Sequence, residues 1–194
     1  MSLPKSISKE DINKLPLFTF KGNVHLIETK EQALEAVAIL ERNDTLGFDT
    51  ETRAAFRKGE SYQIALLQLA TNSNAYLFRL NKCSLLPQIA NLLANKNIIK
   101  TGVAVSDDIK GLQKLHHFEA QNFVELATIA KNNEIKNFGL RGLVALLLGR
   151  RLSKKEKISN WEKDPLSRGQ ITYAACDAVA GLQIYQEFSA RYLI

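Results

Sequence analysis

The sequence predicts an α/β fold: a mixed central β-sheet, an antiparallel meander followed by parallel strands, flanked by α-helices. Three observations carry this. Strand-like apolar runs at Leu46 to Glu51, Ser61 to Ala70 and Ala75 to Leu80 follow one another with short connections, as antiparallel neighbours do. Helix-period and strand-like segments then alternate to the end of the chain. The composition, 45% apolar and 24% charged, is that of a soluble globular protein rather than a disordered one. A single domain of 194 residues buries roughly 70% of its unfolded surface, enough for a core without staples.

Each element has a local reason. Residues 1–22 read as a lead-in segment punctuated by Pro4 and Pro16, and residues 23–194 as one domain, because no repeat or linker-like shift divides them. Thr29-Lys30-Glu31-Gln32 is a capping box, and Ala33, Leu34, Val37, Ile39 and Leu40 carry an amphipathic helix to about Glu41. After the meander come a helix at Leu85 to Leu93, a strand at Ile98 to Thr101 and a helix from about Ser106 to His116. A short strand at Phe123-Val124 precedes helices at Leu126 to Lys131 and Leu140 to Leu148. The last helix spans about Ser167 to Phe188. Periodicity alone does not separate this order from other α/β arrangements.

Composition also excludes. The longest apolar run, Leu143 to Leu148, is too short to span a bilayer, and Met1 to Glu10 lacks the apolar stretch of a secretory signal. Cys83 and Cys176 stand far apart, so neither a disulfide framework nor a Cys-rich zinc site is expected, and a cytoplasmic location fits. His25, His116 and His117 form no zinc pattern, so any metal would be held by carboxylates. The net charge of +6 permits a polyanionic partner without requiring one.

Three groups of residues carry chemistry. Asp49 and Glu51, two apart on a strand, project from one face. They are either a solvent-facing pair or, given the apolar Leu46, Phe48 and Ile64 to Leu69 around them, a buried repelling pair that a divalent cation would relieve. Asp107 and Asp108 open a helix, where an Asp is also a natural cap. Asp108 lies one turn before Leu112 and borders the buried side, whereas Asp107 aligns with Gly111 and Lys114, so Asp108 takes the functional role and Asp107 the cap or surface role. Tyr173 and Asp177 share a face of the last helix with Ala180 and Ile184. An inward Asp there is paired, hydrogen-bonded or metal-bound. Four acids and a phenol from three elements suit magnesium or manganese.

These motifs resemble those of the DnaQ-like (DEDD) 3′–5′ exonuclease superfamily, in its Tyr-bearing branch. The resemblance rests on Phe48-Asp49-Thr50-Glu51 with Ile64 to Leu69, on Lys100-Thr101-Gly102-Val103 through Asp108 and Leu112, and on Tyr173-Ala174-Ala175-Cys176-Asp177-Ala178 with its approach Asn160 to Ser167. It covers about residues 24–190. Phe123 to Leu126 and Ala180 to Tyr185 look most similar to the Werner-type exonuclease domain, with ribonuclease D next. The chain is expected to be nearly a bare catalytic domain, without ribonuclease D's RNA-binding helical modules. The resemblance implies a ribonuclease H-like fold and hydrolysis from the 3′ end of DNA or RNA to nucleoside 5′-monophosphates, with two Mg2+ or Mn2+ ions. It implies that Asp49, Glu51 and Asp177 hold the ion that activates water, Asp49 bridging to a second ion supported by Asp108. Tyr173 would orient the attacking water. The readings that remain beside it are a ribonuclease D-like or short-oligonucleotide RNA exonuclease, and a non-catalytic nucleic-acid-binding module of the same fold.

The chain departs from the family after the first motif. Where a large aromatic often follows the Glu, it has Thr52 and Arg53, and Phe56 is the nearest aromatic that could contact a terminal nucleotide. Arg53, Phe56, Arg57 and Lys58 are therefore the expected nucleic-acid contacts. A second basic run, Arg150, Arg151, Lys154, Lys155 and Lys157, reads equally as phosphate-binding or as a solvated loop. Trp161 reads as a packing residue before a stacking platform.

Overall fold

In the computed structural model, which describes residues 4–191 and 194, a six-stranded mixed sheet lies between two helical layers. The meander is β2 (Thr45–Thr52), β3 (Ile64–Ala70) and β4 (Asn74–Arg79), joined antiparallel. β5 (Ile99–Gly102) and β6 (Phe123–Glu125) extend it in parallel beyond β2. On the far edge β1 (Asn23–Ile27) runs parallel to β4, giving the order β1-β4-β3-β2-β5-β6. Every residue of β3 is buried, as expected of a central strand covered on both faces.

One face packs Leu46, Phe48, Leu67, Leu69 and Phe78 against α2 (Lys30–Leu40), α4 (Pro87–Ala94) and α5 (Val105–Leu115). The other carries α6 (Leu126–Asn132), α7 (Leu140–Leu148) and the long α8 (Arg168–Ala190), whose Ala175, Ala178, Val179 and Ala180 are buried there. α2 and α8 both start on a complete capping box, Thr29 with Gln32 and Ser167 with Gln170. No helix among the described residues is long and apolar enough to cross a membrane.

Several expectations shift. β3 begins at Ile64 rather than Ser61, because a register shift between Glu51 and Thr52 ends the regular β2–β3 pairing there. β4 stops at Arg79, and Leu80 opens the short α3 (Leu80–Cys83). The lead-in contains α1 (Lys9–Lys14), capped by Ser8, and then runs beside Arg151: the Phe18 N–H donates to the Arg151 carbonyl at 2.8 Å, and the Arg151 N–H to the Pro16 carbonyl at 2.9 Å.

A buried ion-pair group fixes the approach to α8. Arg79, fully buried, donates to Glu28 at 3.0 Å, to Asp164 at 3.3 Å and to the Lys163 carbonyl at 2.8 Å, while Lys82 reaches the same two acids. The 160–167 segment is thereby tied to the sheet before α8 begins. A buried charge with three partners resists displacement far more than an exposed pair would.

Candidate active site

β2 presents Asp49 and Glu51 on the face toward α8, together with Gly47, while Leu46 and Phe48 enter the opposite core. Gly47 sets how close the helix comes. A Cβ at this position would lie 2.0 Å from the Ala178 carbonyl oxygen, so only glycine admits the contact. Asp177, 7% exposed, precedes Ala178 in α8 and is thus brought beside Asp49.

The electrostatics report the crowding. Burial, and then the charges of Asp177 and Asp108, hold the Asp49 carboxyl well above the usual carboxylate range. Burial and the charges of Asp49, Asp177 and Asp108 raise Glu51 to about 9, against a smaller opposing effect of Lys157. Burial raises Asp177 to about 7, with the Tyr173 hydroxyl pulling the other way. Tyr173 itself is pushed above the ordinary phenol value, first by burial and then by Asp177, Glu51 and Asp49. The Trp161 ring, fully buried, sits 6.0 Å from the Tyr173 ring at 45°, which makes Trp161 a packing residue behind the phenol.

Asp108 enters from α5. Its Oδ1 accepts the Thr50 hydroxyl at 2.5 Å; burial raises its pKa to about 6 despite that bond. Asp107 is on the surface and pairs with Lys110 at 3.2 Å. It is not the cap: Ala104 occupies that position without a side-chain bond, and Glu125 accepts the Val105 N–H at 2.9 Å and the Ala127 N–H at 3.0 Å, serving α5 and α6 together. The five predicted residues Asp49, Glu51, Asp108, Tyr173 and Asp177 therefore come into one mutually interacting group. Among the described residues no three His, Cys, Asp or Glu side chains already stand as an ion's ligand shell.

The loop after β2 carries the expected nucleic-acid contacts. Arg53 donates to Glu162 at 3.3 Å and lies 4.6 Å over the Tyr62 ring. Phe56, 77% exposed, lines a cavity of about 510 Å3 with Arg53, Arg57, Tyr62 and Ile158; Lys58 is exposed on the same loop. Sequence reasoning passed over three neighbours of the acids. Thr50 and Glu125 are polar residues inside or beside motif residues, and only the folded contacts distinguish them. Gln68 pairs in register with Asp49, is fully buried, and has neither amide atom hydrogen-bonded. Its signal was available, as the one polar residue in the apolar run Ile64 to Ala70.

A profile of the family described as 3′–5′ exonuclease matches residues 24–192. The mouse bifunctional 3′–5′ exonuclease/ATP-dependent helicase WRN is 36% identical over 186 residues, covering 90% of this chain and 13% of its own length. The exonuclease mut-7 homolog of Aedes aegypti is 28% identical over 190 residues, covering 85% of this chain and 26% of its own. The crystal structure of the Aedes aegypti Nibbler EXO domain superposes with a TM-score of 0.81 at 26% identity, covering 89% of this chain and 91% of that one. Escherichia coli RNase D shares the fold, with a TM-score of 0.77 at 20% identity over 89% of this chain and 47% of its own. The chain thus spans a minor part of the length of these two curated relatives. With its ribonuclease H-like mixed sheet and a match running from the first strand through the last helix, the chain belongs to the 3′–5′ exonuclease family.

Proposed function

We propose that the chain hydrolyses nucleic-acid phosphodiester bonds from a free 3′ end with two divalent cations, Mg2+ or Mn2+, and releases nucleoside 5′-monophosphates. One observation carries this reading. Asp49, Glu51, Asp108 and Asp177 crowd one another, and among the described residues none of the four is in an ion pair. A chain does not keep repelling buried carboxylates at no cost. A hard divalent cation fits this all-oxygen donor set. Asp49, Glu51 and Asp177 would hold one ion and Asp49 with Asp108 would support the second, their side chains turning inward to do so. Bound ions of this kind lower the pKa of water and neutralise charge on the leaving oxygen.

The remaining work falls to the chain's own groups. Tyr173 stays protonated, because burial and three nearby acids disfavour the phenolate. Its oxygen accepts from the attacking water and orients it, and its proton is directed to Asp177 rather than exchanged with substrate. Trp161 fixes the phenol from behind. Arg53, held between Glu162 and Tyr62, and Arg57 offer charge to phosphate, while Phe56 offers a face on which one base can stack, worth roughly 1–3 kcal/mol.

The test is a panel of oligonucleotides labelled at the 3′ or the 5′ end: single-stranded DNA, recessed duplex DNA and RNA, each with Mg2+, Mn2+ or EDTA. Stepwise loss from the 3′ end, abolished by EDTA, is expected, and the panel reads the sugar preference directly. Undiminished activity in Asp49→Ala and Asp177→Ala proteins would sink the assignment.

A further inference from the structure

The basic run after α7 does not act as one patch. Arg151 turns its guanidinium Nε to the Leu15 carbonyl at 2.9 Å, and Arg150 lines a separate hollow with Phe20 and Gln183. Lys155 faces a cavity of about 520 Å3 on another side of Tyr173. Lys154 and Lys157 instead face a cavity of about 380 Å3, and Arg141 joins them there from the first turn of α7. Tyr173 and Asp177 form its far wall.

We infer that this cavity binds a phosphate of the nucleic-acid strand other than the one being cut, with Arg141, Lys154 and Lys157 as its cationic contacts. The inference rests on the nuclease reading above and deepens it. Among the described residues none of the three cations is in an ion pair. Arg141 spends Nη2 on Asn13 at 2.6 Å, but its Nε is buried without a partner, a donor left over beside the cavity. The like charges are close enough to act on one another: Arg141 leads in disfavouring the Lys154 ammonium, followed by burial and then Lys9 and Lys157. Arg141, Lys154 and Lys157 face a cavity whose lining holds a single acid, Asp177, and the three cations repel one another until an anion arrives. The α7 N-terminus adds to the same field, since Gly139 caps it without a side-chain bond and leaves its first N–H groups free of one. Of the four acids only Asp177 lines the cavity, while Asp49, Glu51 and Asp108 lie outside its lining. A scissile phosphate held among all four acids therefore sits at the Tyr173–Asp177 side, and a phosphate on the three cations is a neighbouring one on the strand. A substrate with only one phosphodiester cannot place a phosphate in both positions, and this supplies the experiment.

The variant is Arg141→Gln/Lys154→Gln; Lys157 is retained because its charge also acts on Glu51. Two readouts are taken on the full chain. The first is kcat/KM on a ten-nucleotide strand relative to a dinucleotide. We expect the longer strand's advantage to fall at least tenfold, through KM. The second is anisotropy of a labelled ten-nucleotide strand in EDTA across a chloride series. Each phosphate neutralised contributes about 0.7 to the logarithmic salt slope on a single strand, so losing this one should lower the slope by about 0.7. An Arg141→Lys variant, which keeps the charge, should retain most of the binding, separating charge from the Asn13 contact. An unchanged length advantage with an unchanged slope overturns the inference, as does a loss on Arg141→Lys equal to that of the double variant. If the wild-type chain cleaves nothing, the binding series still decides the cavity's role independently of the nuclease reading.

Discussion

The Thr50 hydroxyl donates to Asp108 Oδ1 at 2.5 Å across 58 residues of sequence. Thr50 stands between Asp49 and Glu51, with its side chain on the opposite face of β2. One short stretch of strand therefore presents two acids to α8 and restrains a third from α5. The hydroxyl lowers the Asp108 pKa against the burial that raises it. Thr50→Val removes the donor at nearly constant volume. We expect the Asp108 midpoint, followed by carboxyl-carbon NMR in EDTA, to rise above about 6, and stability to fall by about 1–3 kcal/mol. An Asp108 midpoint that stays in place would show that the bond does not govern this acid.

The raised carboxyls also give stability a direction with pH. In the unfolded chain these acids titrate at about 4, whereas folded Asp108, Asp177 and Glu51 sit at about 6, 7 and 9. Between those limits the folded state binds more protons, so stability falls as pH rises from about 4 toward 9. In EDTA the melting temperature should decline across this window. An Asp177→Asn protein should decline less. Adding Mg2+ or Mn2+ should restore stability, and the gain should grow with pH, because the ion binds the deprotonated acids. A metal-induced gain that shrinks as pH rises would contradict the arrangement.

Gly47 and Gly181 make a matched comparison. A Cβ at Gly47 would meet the Ala178 carbonyl oxygen at 2.0 Å, whereas one at Gly181 meets the Thr101 carbonyl oxygen at 3.2 Å. Gly47→Ala must push α8 off the strand, and we expect a loss of about 1–3 kcal/mol with a fall in kcat, since Asp177 rides on the displaced turn. Gly181→Ala gains about 0.8–1 kcal/mol of helix propensity against a small steric cost and should be near neutral by chemical denaturation. Equal losses at the two sites would remove Gly47 as the determinant of the helix approach.

How much of this was legible follows from where each signal resides. The i, i+2 spacing of Asp49 and Glu51 and the i, i+4 spacing of Tyr173 and Asp177 are local, and a strand or helix period reads them directly. The choice of Asp108 over Asp107 followed from helix phase, and the surface Asp107–Lys110 pair agrees with it. β1 was illegible, because Asn23–Ile27 is a largely exposed edge strand with no alternating pattern, and its pairing with β4 is nonlocal. Of the two roles open to Asp107, cap or surface, the structure gives it the surface one, because the acceptor at the start of α5 is the nonlocal Glu125. Arg141 carries no local mark at all. It meets Lys154 and Lys157 only because the chain after α7 folds back along the cavity.

Tyr173 offers the sharpest separation between orienting and abstracting. Burial and the charges of Asp177, Glu51 and Asp49 all oppose its ionisation, so it cannot serve as a base near neutral pH. On the proposed reading its contribution is one hydrogen bond to the reacting water, beside the one it makes to Asp177. Tyr173→Phe keeps the ring against Trp161 and deletes only the hydroxyl. We expect kcat to fall roughly 10- to 100-fold, the size of one hydrogen bond to a developing charge, with KM little changed. The pH–rate profile should lose no ionisation, because the removed group does not titrate in the working range, while any Asp177 limb moves to higher pH once the hydroxyl no longer lowers that acid. Loss of an ionisation from that profile, together with a deeper fall in kcat, would instead assign the phenol to proton transfer.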